Sequence, residues 1–117
     1  MMTLDEAQQR LTDARAYLHI DERTQELADL DRQIASPDFW NNTEHAQAVS
    51  KQASVLRDVI DRYDAACALF EDIQTAQELA AEDPDFAQEL ERDLTQLEKT
   101  LDKFEVESWF SGPYDSA

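Results

Sequence analysis

Residues 49–70, VSKQASVLRDVIDRYDAACALF, decide the fold class. Val49, Ala53, Leu56, Ile60, Tyr63, Cys67 and Phe70 recur at steps of 4, 3, 4, 3, 4 and 3, which sets all seven on one helical face as a heptad seam. A half-buried strand would alternate in twos, and no stretch of the chain does so. Ile73, Ala76 and Leu79 or Ala80 prolong the stripe to residue 81.

Upstream lies SPDFWNNTEHAQAVSKQ, residues 36–52, where a proline and two adjacent aromatics interrupt the helical pattern. Pro37 disfavours helix at Ser36 and has no amide to donate, so the preceding helix ends before it. Asn41, Asn42 and Thr43 offer caps for the long helix that follows. Phe39 and Trp40 have two readings. As a staple, one ring packs under the start of the long helix and Trp40 is buried. As a hot spot, an exposed aromatic meets a partner. The staple is the preferred reading.

Further upstream, Thr3 and Glu6 stand at capping-box spacing, and Leu4, Ala7, Leu11, Ala14 and Leu18 form a first apolar stripe. Ile20, Leu27, Leu30 and Ile34 form a second stripe out of phase with the first. This pattern predicts either a bend near His19–Asp21 or two helices in series, with Asp21 as a cap. The first segment has little apolar bulk and is expected to fray. Downstream, AEDPDF (residues 81–86) breaks the long helix, with Asp83 as cap and Pro84 at an early helical position. Phe86, Leu90, Leu94, Leu97, Leu101, Phe104 and Trp109 stripe the last helix, which Gly112 and Pro113 stop. Helices this long find their stability by burying stripes against one another. The fold class is therefore all-α, an elongated antiparallel bundle of three to four helices with coiled-coil-like packing. Self-association through the same stripe is a rival use of the spacing.

Composition narrows the function classes. The 117 residues suit one domain. No apolar run is long enough to span a bilayer, no signal-peptide pattern opens the chain, and the single cysteine, Cys67, suits a reducing cytosol. The formal charge is −17, and residues 71–107 hold 13 acids against 3 bases, a net of −10, whereas residues 38–70 carry only −2. So acidic a surface repels phosphate backbones, disfavours direct nucleic-acid binding, DNA included, and suits a basic protein partner or plain solubility.

Catalytic chemistry is not visible. His19 and His45 fall on different segments without metal-ligand spacing, Cys67 sits in the apolar seam, and one glycine excludes a phosphate-cradling loop. The expectation is a protein that is not an enzyme, with no catalytic, cofactor-binding or metal residues, no cofactor, and no partner-contact residue that can be named.

One further reading rests on likeness. SPDFWNNTEHAQAVSKQ resembles the PDxWN…xxAQxxxKE segment of the bacterial peptide chain release factor 2 family, class I factors for UGA and UAA codons. The stretches on either side, AYLHIDERTQELADLDRQI and DIQTAQELAAEDPDFAQELERDLTQLEKTLDK, match as well. EVESWFSGPYD (residues 105–115) is similar to the family's ExxxxFSGxYD run, which closes its helical first domain. The resemblance implies a helical N-terminal domain over residues 1–110, with residues 111–117 starting a linker to a core domain that would cover Trp109 and Phe110. The family's Ser-Pro-Phe and Gly-Gly-Gln tripeptides are absent from this sequence, since Ser36-Pro37 is followed by Asp38. What carries over is a role in translation termination. The domain would dock on the ribosome at a ribosomal protein of the stalk base, influence the recycling GTPase release factor, and work in the cytoplasm away from any membrane. The rival is a free-standing acidic helical interaction module or regulator.

Overall fold

In the computed structural model, residues 2–110 are described, the side chain of Phe110 excepted. They form four α-helices and one short 3-10 turn, with no strand among them: α1 (Leu4–Tyr17), α2 (Ile20–Ile34), the 3-10 turn (Phe39–Asn41), α3 (Thr43–Ala80) and α4 (Phe86–Phe110). The stop signal at Gly112 and Pro113 and the linker of residues 111–117 lie outside the described residues.

α3 is the spine. At about 1.5 Å per residue its 38 residues reach nearly the full 60 Å length of a body 29 by 17 Å in its other dimensions. α1 and α2 run in series antiparallel to α3, α1 along its C-terminal half and α2 along its N-terminal half. α4 returns antiparallel over the C-terminal half. One end of the molecule is therefore a three-helix bundle and the other a two-helix hairpin closed by the 3-10 turn.

The core divides accordingly. Ala7, Leu11 and Ala14 of α1 pack with Tyr63, Ala66, Phe70 and Ile73 of α3 and Leu94, Leu97, Leu101 and Phe104 of α4. The smaller cluster joins Leu30, Phe39, Ala46, Val49, Ala53 and Leu56. The seam crosses from one cluster to the other near Val59 and Ile60. There Ile60 is only half-buried and belongs to neither core, a departure from the heptad expectation. A straight helix drifts against a strict seven-residue repeat, so a 38-residue face cannot hold one line past two different partners.

Helix ends follow their caps. The Thr3 hydroxyl accepts from the Glu6 amide at 3.1 Å and donates to the Glu6 carboxylate at 3.2 Å. The Asn42 side chain accepts from the His45 amide. α4 departs from expectation: it begins at Phe86, so Pro84 lies in the turn before it, where the Asp83 side chain accepts from the Asp85 amide. α1 is continuous from Leu4 to Tyr17, and its alanines permit close approach: Ala7 and Ala14 are fully buried.

α1 and α2 are two helices in series. His19 stands between them at φ 54, left-handed, with its amide on the Ala16 carbonyl and its carbonyl opening α2 through the Arg23 amide. Asp21 is not the cap. It lies in the first turn of α2, where its carboxylate accepts from Arg15 at 2.7 and 3.1 Å and bridges the joint.

Candidate interaction surfaces

The thin end carries the first candidate surface. In the 3-10 turn the Phe39 amide donates to the Ser36 carbonyl and the Asn41 amide to the Asp38 carbonyl. Successive side chains of such a turn diverge by about 120°, so two adjacent rings cannot both enter the core. Phe39 enters it, 8% exposed, while Trp40 remains 58% exposed. This reverses the expectation that Trp40 is the buried ring. Trp40 rests edge-on against Phe39, with ring centres 5.0 Å apart at 88°, and Phe39 lies 5.8 Å from the His45 ring. A large exposed aromatic is thus held in place by a buried one at the tip of a hairpin, an arrangement suited to meeting a partner at low entropic cost.

The last visible turn of α4 carries the second. Trp109 is 73% exposed and Val106 is also exposed, so Trp109 does not continue the buried stripe. The buried apolar face of α4 ends at Phe104. Here two arginines lock the three-helix end. Arg10 of α1 reaches Asp102 and Glu105 of α4, each at 2.7 Å, and Arg62 of α3 reaches Glu107 at 2.9 Å. Burial disfavours the Arg10 charge, but the two carboxylates outweigh it and hold the guanidinium above its ordinary range. No local sequence signal marks these pairs, because their partners lie 92, 95 and 45 positions away.

The groups screened as catalytic candidates do not converge. Cys67 is half-buried beside Tyr63, as the seam implied, and burial pushes its thiol up, away from the reactive thiolate. The Tyr63 hydroxyl donates to the Leu11 carbonyl at 3.1 Å, and burial raises the phenol to about 12. His19 contacts Glu22 at 2.9 Å at the α1–α2 joint, far along the molecule from His45 at the hairpin tip. Among the described residues no three histidine, cysteine or acidic groups stand together as a metal would need, and no helix is long and apolar enough to cross a membrane.

Comparison with known proteins adds a family. A profile of the PCRF domain matches residues 23–117. A peptide chain release factor 2 from an Exiguobacterium species is 35% identical over 115 residues, covering 97% of this chain and 31% of that protein. The peptide chain release factor 2 of Petrotoga mobilis is 32% identical over 114 residues, with the same coverage of each. The chain thus spans about a third of the length of these curated relatives, and the region shared is their N-terminal part.

Proposed function

The chain belongs to the PCRF-domain family, and from that premise we propose that it is a ribosome-docking helical module of translation termination rather than a catalyst. The observation that carries this reading is the profile match over residues 23–117, joined to relatives named as release factors that align along nearly the whole chain. The physical character of the surface agrees with docking. The body is a slim rod with a formal charge of −17 and an exposed tryptophan at its thin end. Such a rod suits a basic protein surface, with Trp40 as the apolar anchor and the acids of α3 and α4 steering the approach. In this reading the partner is a ribosomal protein at the stalk base, the recycling GTPase factor senses the docked module, and the work is cytoplasmic.

The test is co-sedimentation with ribosomes paused at a UGA codon with peptidyl-tRNA bound, read together with peptide release. The expected result is association that weakens as salt rises, weakens further in Trp40→Ala, and yields no released peptide. One domain acting alone lacks the effective concentration that several linked domains would supply, so the binding is weak. Stop-codon-dependent release by this chain would overturn the non-catalytic reading, and no association even at low salt would overturn docking.

A further inference from the structure

The charge of α4 is sorted by face. The helix carries all three bases of residues 71–107, Arg92, Lys99 and Lys103. At 100° per residue they fall within a sector about 40° wide, and at 1.5 Å per residue they span about 16 Å along the axis. All three are exposed. The residues between and beside them on that face are Gln88, Thr95, Gln96, Thr100 and Val106, with Glu89 and Glu107 at its edge. Asp102 and Glu105 lie toward α1 and Glu107 toward α3, as their arginine partners show.

None of the three cations makes an ion pair among the described residues, in contrast to five arginines elsewhere. Arg10 holds Asp102 and Glu105, Arg15 holds Asp21, Arg32 holds Asp29, Arg57 holds Asp31, and Arg62 holds Asp58 and Glu107. The carboxylates best spaced to neutralise the two lysines are therefore engaged: Asp102, three residues from Lys99, by Arg10, and Glu107, four from Lys103, by Arg62. Lys99 and Lys103 are themselves one turn apart, an arrangement of like charges that costs helix stability when nothing lies opposite. Two shallow concavities open on the stripe. One is lined by Arg92, Thr95, Gln96 and Lys99 together with Glu91, and the other by Gln96, Thr100 and Lys103 against Arg62 of α3.

We propose that this stripe of α4 docks the phosphate backbone of RNA. Cations interleaved with threonine hydroxyls and glutamine amides are the side chains that contact phosphate and sugar, and the stripe has no aromatic to read or stack a base, so it grips without sequence preference. Its exposed apolar residue, Val106, lies at one end and is small, so the stripe has no large anchor at its centre for an acidic protein partner. The overall charge does not cancel it. Fields of exposed charges decay over about 8 Å at physiological salt, and of the acids nearest the stripe Asp102 and Glu105 are held by Arg10 and Glu107 by Arg62. The choice of RNA among polyphosphates rests on the ribosomal reading above, whereas the stripe does not. Together they describe a module whose acidic faces meet ribosomal protein while one basic edge lies along RNA.

The test is fluorescence anisotropy of a labelled RNA hairpin with the 117-residue chain over a range of salt, beside co-sedimentation with ribosomes. Three phosphate contacts give weak binding whose logarithm falls with the logarithm of salt at a slope of about −2 to −3. Arg92→Gln, Lys99→Gln and Lys103→Gln should each weaken binding several-fold and remove about one from that slope. Lys51→Gln, on the opposite half of the rod, should change neither. Circular dichroism melts confirm that each variant is folded. Undiminished RNA binding by the folded triple variant, or none by the parent at low salt, overturns the proposal. Equal competition by poly-glutamate overturns the choice of RNA over acidic protein. Stripe-dependent hairpin binding by a chain that fails to co-sediment with ribosomes supports the stripe and removes the ribosomal reading instead.

Discussion

Arg62 and Glu107 meet through both carboxylate oxygens, with Nη1 at 3.1 Å from Oε1 and 2.9 Å from Oε2, and this contact ties the last described turns of α4 to α3. A single nitrogen serves both oxygens, so the contact is bifurcated and weaker than the parallel two-nitrogen pairing of a guanidinium with a carboxylate. Both side chains are more than a third exposed, so solvent screens the pair. A double-mutant cycle with Arg62→Ala and Glu107→Ala should give a coupling of about 0.5–1 kcal/mol that shrinks as salt is raised. A coupling of zero at low salt would mean that α4 holds its register through Leu97, Leu101 and Phe104 alone.

The hairpin tip gives a sharper contrast. Phe39→Ala removes a buried ring from the small core around Leu30, Val49 and Ala53 and should destabilise by about 3–5 kcal/mol. Trp40→Ala removes mainly an edge contact and should cost about 0.5–1.5 kcal/mol. Urea midpoints of the two variants rank them directly. The opposite order would put Trp40 back in the core.

Much of this architecture is legible in the order of residues. The seam of α3, both breaks at proline, the Thr3 and Asn42 caps and the α4 stripe all follow from local spacing, because each is set by neighbours within a few positions. What is not legible depends on distance or on a choice between adjacent residues. Nothing local distinguishes Phe39 from Trp40, since the preference comes from which ring the 3-10 turn aims at Ala46 and Ala53. Ile60 fits the heptad but sits where the core passes from α2 to α1 and α4. Trp109 fits the α4 stripe but is exposed, because the buried face stops at Phe104. Of the candidate surfaces, the sequence offered Trp40 only as the less favoured reading, and sorting the α4 cations needed knowledge of which acids Arg10 and Arg62 consume.

Cys67 provides a check on the phase of α3. It is half-buried against the larger core, and burial pushes its thiol above the ordinary range. The thiolate is the reactive form, so native protein at neutral pH should label slowly with a thiol reagent and denatured protein quickly. Equal rates in the two states would place Cys67 on the solvent face and rotate α3 by about 100°, the turn of one residue.

Alkaline pH should loosen the three-helix end. Burial raises the Tyr17 phenol to about 12, with the Glu105 charge adding to it, and burial with the Cys67 contact does the same for Tyr63. A tyrosine in the unfolded chain ionises near pH 10. Between about pH 10 and 12 the folded chain therefore binds more protons than the unfolded one, and stability must fall as pH rises through that window. Below pH 10 both phenols are neutral in either state and their contribution is complete. Urea midpoints should accordingly hold steady up to about pH 10 and then decline. Tyr63→Phe separates the two roles of that residue. At neutral pH it loses the hydrogen bond to the Leu11 carbonyl, a cost of about 1 kcal/mol. Above pH 10 its decline should be shallower than the parent's, because one of the two ionising groups is gone. A midpoint unchanged from pH 9 to 12 in the parent would show that neither phenol is held in the packed interface between α1, α3 and α4.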